Sequence, residues 1–241
     1  MSQQRQWRLL VFGATGAIGS TVTRHALARG WKVVAASRRP PDTAPDEENL
    51  HRVCHDPLSG DSAADLVGEA PFDAVCWAHG ANLADSVQDF DAARHLALYE
   101  ANCLSVLVST SSLIKAGLLS RDGARLVIVS SIWQERARQN KLSYSVTKAA
   151  VGGIVRSLAV DLGSEGHLVN GVLPGVLDTP MTAANLDPAQ VEVIRGKTTA
   201  HRLPDLGTVA ETILFLCSTE NRSVTSQSIP VDLGMSNAIL V

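Results

Sequence analysis

A phenol and an amine stand one helical turn apart in KLSYSVTK, residues 141–148. At that spacing Tyr144 and Lys148 share a helix face. A free phenol has a pKa near ~10, too high for efficient proton exchange near neutral pH. A neighbouring ammonium favours the phenolate and is expected to lower that value. The plain alternative is two ordinary surface residues on a helix. A second candidate chemistry lies near the start, where RLLVF runs into GATGAIG, residues 13–19. Gly13, Gly16 and Gly19 follow an apolar run and open a helical pattern. There, backbone can approach a dinucleotide pyrophosphate, and a helix N-terminus offers unpaired N–H groups. Glycines at such a turn can also serve only to join a strand to a helix. The next apolar run ends at Ser37-Arg38-Arg39 with no carboxylate to hold a ribose 2'-hydroxyl. A guanidinium there could grip a 2'-phosphate in bidentate fashion, which favours NADP(H) with NAD possible.

Positioning these groups takes a scaffold, and the hydrophobic pattern describes one. Apolar runs of four to seven residues alternate with helical spacing along the whole chain. The strand candidates are RLLVFG, WKVVAAS, HRVCHD, FDAVCWAHG, ARLVIVSS, HLVNGVLPG and SQSIPVDLG. Several are apolar on both faces, as strands of a parallel sheet covered by helices must be. Right-handed crossovers then leave a Rossmann-like, doubly wound α/β sheet of about seven strands, in one domain over residues 1–241. The helical stretch 90–119 is long enough to expect an interruption. SAADLVGEA reads as a short helix, and the Pro- and Asp-rich RRPPDTAPDEEN as loop.

Of the 241 residues, 45% are hydrophobic and 19% charged, enough to bury a substantial core. The net charge of −3 and the lack of a basic run argue against a nucleic-acid partner or an anionic membrane. The apolar run LLVF is too short for a signal peptide or a span, so a soluble cytoplasmic protein is expected. Cys54, Cys76, Cys103 and Cys217 form no CxxC pair and read as buried, reduced thiols. His51, Cys54 and His55 could suggest a metal. On a strand, however, Cys54 would face away from the two histidines, and no metal is expected.

Taken together, the chain resembles the short-chain dehydrogenase/reductase family, in its compact single-domain form, over nearly its whole length. GATGAIG stands at the family's glycine motif, YSVTK matches its Tyr-x-x-x-Lys, and PGVLDTPM (residues 174–181) matches its Pro-Gly…Thr-x-Met segment. Ser131 precedes Tyr144 by the family's usual thirteen residues. The likeness extends to 3-oxoacyl carrier-protein reductases and to reductases of sugars and secondary-metabolite ketones. It implies that Tyr144 is the general acid of carbonyl reduction and the base of the reverse reaction. Lys148 would hold the nicotinamide ribose, Ser131 the substrate oxygen, and Asn102 a water linking Lys148 to solvent. It also implies cofactor contacts from Gly13, Thr15, Gly16, Ala17, Ile18 and Gly19 at the turn. Further contacts would come from Ser37 and Arg38, Asp56 near the adenine, Ala78, His79 and Gly80, and Pro174, Gly175, Val176 and Thr179 around the nicotinamide. The alternatives are a nucleotide-binding sensor or scaffold without turnover, and an epimerase or dehydratase of the same superfamily.

The chain departs from the family in three places. Its glycines are spaced Gly-x-x-Gly-x-x-Gly, as in longer epimerase-like members. Ala-His-Gly (residues 78–80) replaces Asn-Ala-Gly, so His79 is either a cofactor-side contact or a bulky replacement. SSIWQERARQNKLSY brings Trp133 and four charged residues to the substrate border, where Trp133 either shapes the pocket or covers the sheet's end. Residues 177–204 are expected to form a short, polar substrate lid over an open pocket for a small or carrier-bound carbonyl. Helices 85–118 and 144–162 are the expected faces of a homodimer or homotetramer.

Overall fold

A computed structural model describes residues 6–38, 48–59 and 63–238. Arg39 and most of the Pro- and Asp-rich loop therefore lie outside the described residues. Seven strands form one parallel sheet: β1 (Arg8–Phe12), β2 (Lys32–Ser37), β3 (Leu50–Cys54), β4 (Ala74–Trp77), β5 (Arg125–Val129), β6 (Leu168–Pro174) and β7 (Ser228–Val231). Their order is β3-β2-β1-β4-β5-β6-β7. The chain steps outward from β1 to β3, then returns to lay β4 on the other side of β1. That reversal opens a crevice at the carboxyl ends of β1 and β4, where ligands of such sheets bind.

Alternation along each strand divides the core between two faces. Leu9 and Val11 point to one face and pack with Val22 and Ala26 of α1 (Ala17–Ala28) and Val209 and Ile213 of α7 (Leu206–Leu216). Leu10 and Phe12 point to the other, against Trp77, Cys103, Val106 and Leu113 and against Val151 and Val155 of α4 (Leu142–Leu162). The long helical stretch is interrupted, as expected. α2 (Ala92–Tyr99) and α3 (Ser105–Lys115) are joined by a π turn over Glu100–Leu104, which carries Asn102. By length and composition alone, Ala92–Lys115 would pass as a membrane span. Here Cys103, Val106 and Leu113 are buried against the sheet and α4.

Three expectations need correction. SAADLVGEA forms only a 3-10 turn, Ala64–Glu69. Cys54 is exposed, unlike the other three cysteines, at the last position of the edge strand β3. His51 and His55 do not converge. His51 is exposed beside Glu69, and His55 is buried with its ring 5.5 Å from Phe12's. Residues 177–204 contain two short helices, α5 (Pro180–Asn185) and α6 (Pro188–Gly196), started by Thr179 and Asp187 as side-chain caps with proline in the first turn.

Candidate active site

A cleft of about 930 Å³ opens over the carboxyl ends of the strands. Its walls include Gly13, Thr15, Gly16, Ala17, Ile18, Ser37, Arg38, Asp56, Ala78, His79 and Gly80. They also include Ser131, Tyr144, Pro174, Gly175, Val176 and Thr179. Most residues proposed from sequence thus meet around one cavity. Three stand behind its surface: Gly19, Asn102 and Lys148.

The glycines of the first turn have different reasons to be glycine. Gly13 has φ +76°, and a Cβ there would lie 2.6 Å from the His79 backbone nitrogen, so the turns after β1 and β4 abut without room for a side chain. At Gly19 a Cβ would come 2.3 Å from the Gly13 carbonyl oxygen. At Gly16 it would meet only that same oxygen, at an ordinary 3.4 Å. Protein packing therefore does not require glycine at position 16, which lines the open cleft. Gly19→Ala is expected to lower the melting temperature by several degrees, an overpacking effect of roughly 1–3 kcal/mol. Gly16→Ala is expected to melt like the wild type and to bind nucleotide at least tenfold more weakly. Equal melting temperatures for the two variants would refute the distinction.

Tyr144 and Lys148 lie on the first turns of α4. The start of that helix is fixed from a distance by Asp85, which was not singled out from sequence. Its carboxylate accepts the Ser143 backbone N–H at 3.0 Å and the Ser143 hydroxyl, and its carbonyl accepts the Leu142 N–H at 3.2 Å. Lys148 is 4% exposed; its Nζ donates to the Val129 carbonyl at 3.3 Å and lies 5.7 Å from the Tyr144 ring centroid. Burial pushes its pKa down to about 8. Tyr144 corrects the expected direction. Burial raises its pKa above that of a free phenol, the Ser131 hydroxyl pulls the other way, and Lys148 does not offset the desolvation. The amine faces the ring, and it is itself short of solvation. In this arrangement Tyr144 is a neutral phenol with a proton to give.

Asn102 is clamped rather than open to the cleft. Its Oδ1 accepts the Ala81 N–H at 2.7 Å, and its Nδ2 donates to the Ala81 carbonyl at 3.1 Å and to Thr147 Oγ1 at 3.0 Å. Gly80 makes room for this clamp, since a Cβ there would sit 3.0 Å from Asn102 Oδ1 and 3.6 Å from Lys148 Nζ. His79 meets the Ser105 hydroxyl through Nε2 at 2.7 Å. Ser105 donates its own proton to the Ala101 carbonyl, so Nε2 carries the hydrogen and Nδ1 is left as an acceptor. Burial, then the fields of Lys148 and Arg38, push the His79 pKa down to about 4, keeping the ring neutral at pH 7. Thr179 caps α5, accepting the Thr182 N–H at 3.3 Å.

The cleft's residues fit a bound dinucleotide. Two buried polar atoms of residues in its wall, Ser130 Oγ and His55 Nε2, have no hydrogen-bond partner among the described residues. Arg38 is exposed at the tip of β2. Sequence reasoning also passed over Asn82, Arg138 and Lys141, which line the cleft beside Tyr144. Lys141 sits inside the motif stretch itself, yet nothing in its local pattern signals that it is buried.

A family model described as enoyl-(acyl carrier protein) reductase matches residues 13–236. The L-xylulose reductase of Bos taurus is 29% identical over 237 residues, covering 94% of this chain and 95% of its own. Among solved structures, an oxidoreductase of the short-chain dehydrogenase/reductase family from Burkholderia thailandensis superposes with TM-score 0.85. It is 25% identical, with 96% of this chain and 93% of that one covered. An actinorhodin polyketide ketoreductase variant solved with NADPH has the same fold, with TM-score 0.84, 24% identity and coverage of 99% and 100%.

Proposed function

The chain belongs to the short-chain dehydrogenase/reductase family, and on that premise we propose that it is an NADP(H)-dependent oxidoreductase interconverting a carbonyl and a secondary alcohol. The observation that carries this reading is a neutral, partly buried Tyr144 backed by Lys148, with Ser131 beside it, in the wall of a cleft shaped for a dinucleotide. When bound, the nicotinamide supplies or takes up the hydride.

The chain's own residues do the rest. Ser131 donates a hydrogen bond to the substrate oxygen and fixes its position. Tyr144 passes its proton to that oxygen in reduction and receives one in oxidation. Lys148, with a pKa near 8, is protonated at neutral pH, where its charge favours departure of the tyrosine proton. Asn102 holds the 81–82 loop against α4, beside the path by which Lys148 would exchange protons with solvent. Around the nucleotide, Thr15, Gly16, Ala17 and Ile18 would face the pyrophosphate. His79 Nδ1 would accept from a nucleotide hydroxyl, Asp56 would take the adenine amine, and Val176 and Thr179 would meet the carboxamide. Residues 177–204 would act as the lid.

NADP(H) is preferred on this reading because Arg38 stands at the end of β2 and the residue before it is Ser37, not a carboxylate. The two cofactors titrated separately should show NADPH binding at least tenfold tighter than NADH, with Arg38→Gln removing the difference. Tighter binding of NADH would overturn the assignment. The overall reading is tested by following nicotinamide absorbance with a panel of ketones and alcohols. Cofactor binding without turnover of any of them would favour the non-catalytic alternative.

Two wider expectations join the proposal. Leu96, Tyr99, Leu104, Leu107, Val146 and Val160 leave apolar surface on the α2–α3 stretch and on α4, which supports a homodimer or homotetramer, measurable by light scattering. Four free cysteines support a reducing, cytoplasmic setting.

A further inference from the structure

The proton chemistry uses Ser131, Tyr144 and Lys148, and it leaves three polar side chains beside them without a role. Lys141 is 6% exposed, and its Nζ lies 5.5 Å from the Tyr144 ring centroid. It donates to Asn82 Oδ1 at 2.7 Å and to the Leu83 carbonyl at 3.4 Å, both neutral acceptors. Asp85 is the acid whose field reaches it, but that carboxylate is engaged by Ser143. Among the described residues, no carboxylate pairs with Lys141 or Arg138 within 4.0 Å. Arg138, on the same wall, lies over Trp133 with its guanidinium carbon 5.9 Å from the ring centroid, and only its Nε finds an acceptor, the Gln139 carbonyl at 3.5 Å. Asn82 completes the group. An ammonium can only donate, so Oδ1 must be the atom facing Lys141, and Nδ2 keeps two N–H donors with no acceptor among the described residues.

A buried ammonium without a counter-charge is unfavourable, and a second cation nearby makes it more so. The cleft supplies no relief. Among the described residues its one acidic wall residue, Asp56, lies beyond the end of β3, at the opposite edge of the sheet from the Tyr144 side. Two cations, close enough for the charge of Arg138 to act on Lys141, and an amide N–H2 in the wall of one cleft are the donor set for an anion.

We propose that the substrate carries a carboxylate close to its reacting carbonyl, held by Lys141, Arg138 and Asn82 Nδ2 while Ser131 and Tyr144 hold the carbonyl oxygen. The substrate class is then small oxo acids and the matching hydroxy acids. This inference rests on the oxidoreductase reading and narrows its substrate.

The test compares each acid with its own neutral ester, using the full chain and NADPH: acetoacetate against methyl acetoacetate, and levulinate against methyl levulinate. For at least one pair, kcat/KM for the acid should exceed that for the ester by roughly 10- to 100-fold, the worth of a charge-assisted hydrogen bond, mostly through KM. Lys141→Met and Arg138→Gln should each reduce that acid-to-ester ratio by about tenfold or more. Arg138 is only partly buried on a loop, so its variant reads the effect even where Lys141→Met fails to fold. Esters reduced as well as acids, or ratios unmoved in both variants, would overturn the proposal. So would faster reduction of glycerone phosphate than of either acid. Should nothing be reduced here although NADPH binds, the wider panel of ketones and alcohols decides the oxidoreductase reading, and calorimetry with pentanoate decides the anion site alone. Pentanoate binding lost in Arg138→Gln sustains the site, and no binding to the wild type removes it.

Discussion

Tyr144→Phe is expected to lower kcat by roughly 10²–10⁴-fold, the usual contribution of a positioned acid or base, while NADPH affinity stays within about threefold. The fold should survive because the ring remains. Lys141 and Lys148 both face that ring, at 5.5 Å and 5.7 Å from its centroid, and a phenylalanine keeps the cation–π contacts. Only the hydroxyl is lost, and with it the proton that burial retains on Tyr144 at neutral pH. Steady-state kinetics paired with a fluorescence titration of NADPH separates the two effects. A variant that keeps near-wild-type kcat would remove Tyr144 from the chemistry.

Lys148→Met should abolish activity and, before cofactor is added, stabilise the protein. Burial shifts the amine from 10.5 to about 8, a difference worth on the order of 3 kcal/mol against the folded state. Losing the bond to the Val129 carbonyl returns about 1 kcal/mol of this. A net gain of about 2 kcal/mol corresponds to a melting-temperature rise of several degrees for a chain of this size. The sign with pH follows from the depressed value. Below about pH 8 the folded wild type carries the buried charge and the full penalty. Between about pH 8 and 10.5 the folded protein has released the proton while the unfolded chain still holds it, so wild-type stability rises with pH. The advantage of Lys148→Met should therefore be greatest below pH 8 and fade above it. Carbonyl reduction by the wild type should in turn fall as pH rises through about 8. A destabilised Lys148→Met at pH 7 would show that the amine is not held against its solvation.

Much of this was legible because it is local. Strands such as RLVIV are read from apolar runs, and their alternation with helices points to a doubly wound parallel sheet, though not to its strand order. Tyr144 and Lys148 share a turn, and the turn at Gly13 lies directly after β1. An interruption of the long helical stretch was also expected, though not its place at Asn102. What stayed hidden is set by contacts between distant segments. Asp85 caps α4 from 58 residues away, a pairing no pattern around Ser143 announces. The His79 tautomer depends on where Ser105 sends its own proton. The Tyr144 pKa followed burial, which spacing does not reveal, rather than the nearness of an amine. Lys141 reads as a solvated charge in KLSYSVTK until the fold brings Asn82 and Leu83 over it.

The central claim is that this cleft moves a hydride to a carbonyl whose oxygen Tyr144 protonates. Mass spectrometry of the alcohol formed with NADPH deuterated at the transferable C4 position tests it most directly, in ordinary water. One deuterium is expected on the carbinol carbon and none elsewhere. Alcohol formed without deuterium, with the label kept on the nucleotide, would contradict it.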